Sequence, residues 1–264
     1  MLSSLVKPAL DGLQKIGGAT IRALSRLGRL GTFGATMLAA TLSPPWKGRR
    51  LLLRVWFLGY QSILVILLTG AFTGMVLCLQ GYYALSRFGS EAFLGPMVAL
   101  SLLRELAPVL TALMVTGRAG SAITAEIGIM RNSEQIDALE LMGVNPFRYL
   151  VVPTLIGAII AVPLLTAIFN VVGITGGYLV AVKLLGVSPG TYMGEMANYI
   201  NAGDITGGFY KAMSFGAIIA WLCCYKGYYT EPGALGVSKA TTEAVVVTSV
   251  MILVWDYFMT SLLF

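Results

Sequence analysis

The chain opens on a stretch that is too polar to cross a bilayer. Within residues 9–31, Leu13, Ile21, Leu24 and Leu27 share one side at helical spacing, while Lys15, Arg22, Arg26 and Arg29 recur on another. This pattern predicts an amphipathic helix lying in an anionic membrane interface, with an ordinary solvated helix as the alternative. Pro44-Pro45 then breaks the chain, and the KGRR run at 47–50 marks a membrane boundary. Five apolar runs follow, at about 55–80, 93–117, 150–182, 207–228 and 243–263. Each supplies the ~20 residues that a helix needs to span a membrane. The expected fold is therefore all-α and polytopic, with an N-terminal interfacial segment over 1–50 and a transmembrane domain over 51–264. The third run carries Pro153, Pro163 and Asn170 and is expected to bend or tilt. Pro8 and Asp11 interrupt the N-terminus too early for a cleavable signal peptide.

Composition narrows the picture. The 264 residues are 57% hydrophobic and 11% charged, with a mean hydropathy of +0.81, against about 25% charged in a soluble domain. The net charge of +6 lies beside the apolar runs and forms no continuous basic face, which argues against nucleic acid. With no histidine, His-type zinc sites and His acid–base chemistry are excluded. Cys78, Cys223 and Cys224 all sit in apolar runs and read as small buried hydrophobes. Of the 18 Lys and Arg, 14 fall in residues 1–54, 118–148 and 226–239. By the positive-inside rule those segments are cytoplasmic, leaving the N-terminus inside and the C-terminus outside. An odd number of spans argues against an inverted-repeat transporter within one chain.

The polar piece between the second and third runs, TAEIGIMRNSEQIDALELMGVNP (124–146), then lies in the cytoplasm. It predicts a helix over about 133–143, capped by Asn132 or Ser133, with Glu134 in its first turn and Gly143 as its stop. Ile136, Leu139 and Met142 share one face, and Glu134, Asp137 and Glu140 the other. So short a helix is marginal alone in water, and its acidic face suits anionic lipid poorly. A cytoplasmic protein partner is the expectation; packing on its own chain is the alternative.

Four charges fall within or beside the apolar runs: Arg104 and Glu105 in the second, Lys211 early in the fourth, Asp256 in the fifth. A charge at mid-membrane costs about 3 kcal/mol and so faces a partner or a polar cavity. The expected pairs are Arg104 with Asp256 and Lys211 with Glu105, Lys211 reaching towards the outer surface. Gly70-x-x-x-Gly74 and Gly173-x-x-x-Gly177 permit close helix approach and are candidates for a dimer face. No G-x-x-x-x-G-K-[ST] phosphate loop is present, and Gly117-Arg118-Ala119-Gly120-Ser121 lacks the lysine such a loop needs. Any ATP-derived energy must come from another chain.

The run LLRELAPVLTALMVTGRAGSAITAEIGIMRNSEQIDALELMGVNPFRYLVVP (102–153), with the closing segment GVSKATTEAVVVTSVMILVWDYFMTSLLF (236–264), resembles the MlaE-type permeases. These are membrane subunits of ATP-binding-cassette systems that move phospholipid between the membranes of Gram-negative bacteria. The resemblance implies an inner-membrane homodimer and a cytoplasmic ATPase dimer that binds ATP and Mg, with a periplasmic ring of MCE-domain lipid-binding subunits. Some such systems add a small cytoplasmic accessory subunit. It makes 133–143 the coupling helix to the ATPase, phospholipid the substrate, and Arg104, Glu105, Lys211 and Asp256 candidates for a lipid cavity. This chain would itself catalyse no bond-breaking step and bind no cofactor. Two rival readings are an ion-coupled secondary transporter using Glu105 or Asp256 and a non-transporting scaffold of a lipid-handling complex.

Overall fold

A computed structural model describes residues 2–42 and 48–263, and Pro44, Pro45 and Lys47 lie outside the described residues. By internal contacts the chain divides into two units, 1–44 and 45–264. The first is one helix, α1 (Leu2–Thr41), longer than the amphipathic pattern that predicted it. Ile21, Leu24, Leu27 and Arg29 are exposed on it, whereas the side chains of Leu13, Lys15, Arg22 and Arg26 lie outside the described residues.

The second unit is built of helices joined by short turns, and five stretches in it are long and apolar enough to cross a membrane. The first span, 48–88, is α2 (Gly48–Gly59), a 3₁₀ turn (Tyr60–Ser62) and α3 (Ile63–Leu85), ending in a further 3₁₀ turn at Ser86–Phe88. The second, 91–132, contains α4 (Leu94–Ser101), α5 (Ala107–Val115) and α6 (Ser121–Asn132), joined by π-turns at Leu102–Leu106 and Thr116–Gly120. A short helix, α7 (Gln135–Leu141), leads into the third span, 147–184, whose body is α8 (Val152–Leu179). Pro163 is accommodated inside α8. At the opposite end lies α9 (Pro189–Tyr199), followed by the fourth and fifth spans, α10 (Ala202–Tyr228) and α11 (Ala234–Leu263). These helices outrun the apolar runs at most of their ends, because polar ends can remain helical beyond the membrane core.

Small residues bring the helices together. A Cβ on Gly74 would run into the Gly173 backbone, one on Gly176 would stand 2.8 Å from the Ala71 carbonyl, and one on Gly216 2.5 Å from the Ala158 carbonyl. The two G-x-x-x-G motifs therefore meet each other at the α3–α8 crossing. They are spent inside the chain and do not form a dimer face, a correction to the expectation above. On α11 the buried Gly236, Ala240, Ala244, Thr248 and Ile252 repeat every four residues. Asp256 and Thr260 continue that stripe towards the α9 end. Tyr192 anchors α9: it is fully buried, and a Cβ on Gly177 would stand 3.2 Å from its hydroxyl. Burial pushes its phenol well above the usual range, with the Cys78 thiol adding to the shift.

Candidate functional site: a buried charge cluster and an open helix end

Pro108 is the local cause of the charge cluster. Having no N–H, it cannot bond the carbonyl of residue 104, four positions back. The helix relaxes there into the π-turn Leu102–Leu106, and the Arg104 carbonyl accepts Lys211 Nζ at 3.3 Å instead. Lys211 is fully buried and does not snorkel outward as its position suggested. Its ammonium lies 2.6 Å from Glu105 Oε2, 2.7 Å from Asp256 Oδ1 and 2.8 Å from Thr260 Oγ1. Thr260 in turn meets both Glu105 carboxylate oxygens, at 3.0 and 3.2 Å. Three spans are thereby tied at one point.

The expected Lys211–Glu105 contact is present, but Asp256 shares the same cation instead of pairing with Arg104. Arg104 turns to Asp204, its Nε and Nη2 each 2.7 Å from Oδ1. The other oxygen of Asp204 accepts the Asn201 backbone N–H at 2.9 Å, forming a capping box that starts α10. One carboxylate thus caps the start of a helix and neutralises a guanidinium. The pattern Asn201-x-x-Asp204 is a readable cap signal, and it was the missed clue to this partner. Lys211 is closed off by oxygens, while the Arg104 side chain is 41% exposed. Of these two cations, Arg104 is the one that a phosphate could reach.

Beside this cluster lies an apolar cavity of about 300 Å³, open to one side. Its lining includes Leu103, Pro163, Asn170, Ile205 and Phe209. Asn170 Oδ1 is buried there without a hydrogen-bond partner.

At the other end of the bundle, α7 differs from its sequence reading in three respects. It is seven residues long. Its N-cap is Glu134, in the left-handed region at φ 56°, where neither Asn132 nor Ser133 caps it and Glu134 is not in the first turn. Its faces are also divided differently. Ile136 is fully buried and Leu139 half-buried, whereas Leu141 and Met142 are 90% and 68% exposed. Asp137 pairs with Arg131 at 2.5 Å, and Glu140 accepts the Tyr228 hydroxyl at 3.3 Å. Two of the three acids therefore fasten α7 to its own chain. The surface left open includes Glu134, Leu141, Met142 and Val144. Tyr228 is thereby a member of this anchor, and its ring lies 5.5 Å from that of Phe147, tilted by 41°.

Residues 51–262 match the family model described as Permease MlaE. The chain belongs to the MlaE permease family. It is 43% identical to the intermembrane phospholipid transport system permease protein MlaE of Haemophilus influenzae over 89% of this chain and 92% of that one. A probable ABC transporter permease protein of Rickettsia bellii is 43% identical over 97% of this chain and 98% of its own length. The chloroplastic protein TRIGALACTOSYLDIACYLGLYCEROL 1 of Arabidopsis thaliana is 37% identical over 78% of this chain and 59% of its own. As an MlaE permease the chain is a multi-pass membrane subunit of a transport system, and the α7 end and the charge cluster are among its polar features to explain.

Proposed function

We propose that this chain is the permease of an ATP-driven phospholipid transporter acting between the inner and outer membranes of a Gram-negative cell. It works as a homodimer in the inner membrane, with the α7 end cytoplasmic and the α9 end periplasmic, a reading supported by the placement of Lys and Arg. A dimeric ATPase carrying ATP and Mg docks on α7, and a ring of MCE-domain subunits receives or delivers lipid at the α9 end. The observation that carries this reading is the surface α7 leaves open in a chain of this family. Its own acids hold the helix to the bundle, and Leu141, Met142 and Val144 stay uncovered at a helix end, an apolar patch suited to a protein groove. The site residues divide accordingly. Ile136, Leu139, Asp137 and Glu140 seat α7, while Glu134, Leu141 and Met142 face the ATPase. Arg104 offers the headgroup contact, and Glu105, Lys211 and Asp256 lock the spans around it.

The test uses the purified complex in proteoliposomes. Met142→Glu together with Leu141→Glu should leave the permease folded, lower ATPase recovery in the complex and abolish ATP-dependent lipid transfer. Normal coupled transfer by that double variant would overturn the assignment of α7.

A further inference from the structure

The inner third of the first span is broken from the rest, and two staples tie it to the second span, one at the π-turn Thr116–Gly120 and one in α6. At Tyr60–Ser62 the helix tightens from α to 3₁₀, which shifts the amide bonds by one carbonyl. The Phe57 carbonyl, one turn before the break, accepts Arg118 Nη1 at 2.7 Å. The same guanidinium bonds the Gln61 side-chain oxygen and lies 4.9 Å from the centre of the Phe57 ring. Two turns further along the second span, Glu126 receives Arg54 in a two-pronged pair, at 2.6 and 2.7 Å. Residues 118 and 126 are thus ~12 Å apart along one helix axis. The second span ends at Asn132 and turns through Ser133 and the left-handed Glu134 into α7.

Nothing at the break requires glycine. Gly59 has φ −81°, and the nearest atom to a Cβ there would be Ala161 Cβ at 4.0 Å. A residue that costs helix stability without filling a tight space is suited to a pivot.

We infer that Arg118 and the Arg54–Glu126 pair are positioning residues for transport: they make α2 move with α6, so that displacement of α7 bends the first span about Gly59–Ser62. This rests on the reading of α7 as the ATPase-docking helix. It adds the route by which motion at α7 reaches the membrane interior. Two staples resist both sliding and rotation of α2 on α6, which one contact would not. The first span then has a driven inner arm, which also packs on α8 where a Cβ on Gly157 would stand 3.1 Å from Arg54 Cβ, and an outer arm held at the α3–α8 glycine crossing.

The test uses the complete complex in proteoliposomes. Spin labels at Leu53→Cys and Ile129→Cys report the α2–α6 separation, and labels at Leu53→Cys and Val76→Cys report the bend. All three positions are exposed. Between nucleotide-free and ATP-trapped states, the first separation should hold while the second changes. Equal changes in both, or none in the second, would overturn the inference. Arg118→Ala should keep ATP hydrolysis within about twofold while lipid transfer falls about tenfold, a normal size for a coupling term. If Arg118→Ala does not fold, Gly59→Ala answers the same question, because its methyl group has room. The greater helix preference of Ala should stiffen the pivot and slow transfer about fivefold. Unchanged transfer in Gly59→Ala would overturn the pivot. A failure of the underlying reading looks different: the Leu141→Glu, Met142→Glu variant would then transport normally, whatever the spin labels report.

Discussion

Removing the ammonium of Lys211 while keeping its bulk, as in Lys211→Met, isolates what the cluster contributes to stability. The nitrogen is fully buried among two carboxylates, a hydroxyl and a carbonyl, all within 3.3 Å. Methionine fills the space but leaves Glu105 and Asp256 without their common cation. Breaking a buried pair from one side costs about 3–5 kcal/mol. The Glu105 side chain is 37% exposed and the Asp256 side chain 21%, so partial solvation places the cost at the low end, about 3 kcal/mol. At roughly 2–4 °C per kcal/mol for a chain of this size, the unfolding midpoint in detergent should drop by about 6–12 °C. The cost belongs to the stranded acids, not to the lost lysine. Adding Glu105→Gln and Asp256→Asn to Lys211→Met should therefore recover more than half of the drop. A midpoint within about 2 °C of wild type for Lys211→Met would refute the burial argument. A triple variant no better than the single one would refute the assignment of the cost to unpaired carboxylates.

Further outcomes test other parts of the chain. Gly74→Ala drives a methyl into the Gly173 backbone, so thermal stability should fall by about 3 kcal/mol or the protein should fail to accumulate. Glu134→Gly relieves a left-handed residue and should raise the midpoint by about 1 kcal/mol equivalent, unlike Glu134→Val, which should lower it. Asp137→Ala breaks an exposed pair with Arg131 and should cost less than about 1 kcal/mol in the same melt. Arg104→Gln should reduce lipid transfer more than Lys211→Met does at a temperature where both remain folded, since Arg104 is the more exposed cation.

The apolar runs made five helices legible, because a bilayer demands about 20 apolar residues in a row and little else in a sequence does so. The Lys211–Glu105 contact was legible as well, since neither charge could remain alone at that depth. The Arg104 partner was not, because Asp204 reads as part of a polar loop until the Asn201 capping box is recognised. Nor could periodicity show that Asp256 shares Lys211, which depends on Pro108 turning the Arg104 carbonyl towards α10. On α7 the faces were sorted by spacing alone. The anchors at Arg131 and Tyr228 come from a neighbouring helix and from one more than eighty residues away, and they tie two acids of α7 to the chain's own bundle. The glycine motifs were visible, but which helix each one meets is a tertiary fact.

Lipid transfer by the reconstituted complex is the most direct measurement of all. This permease and its ATPase in proteoliposomes should move labelled phospholipid to acceptor vesicles bearing the MCE ring only when ATP and Mg are supplied. A Leu141→Glu, Met142→Glu permease should abolish that movement. Transfer that proceeds without ATP, or that follows a proton gradient instead, would contradict the account.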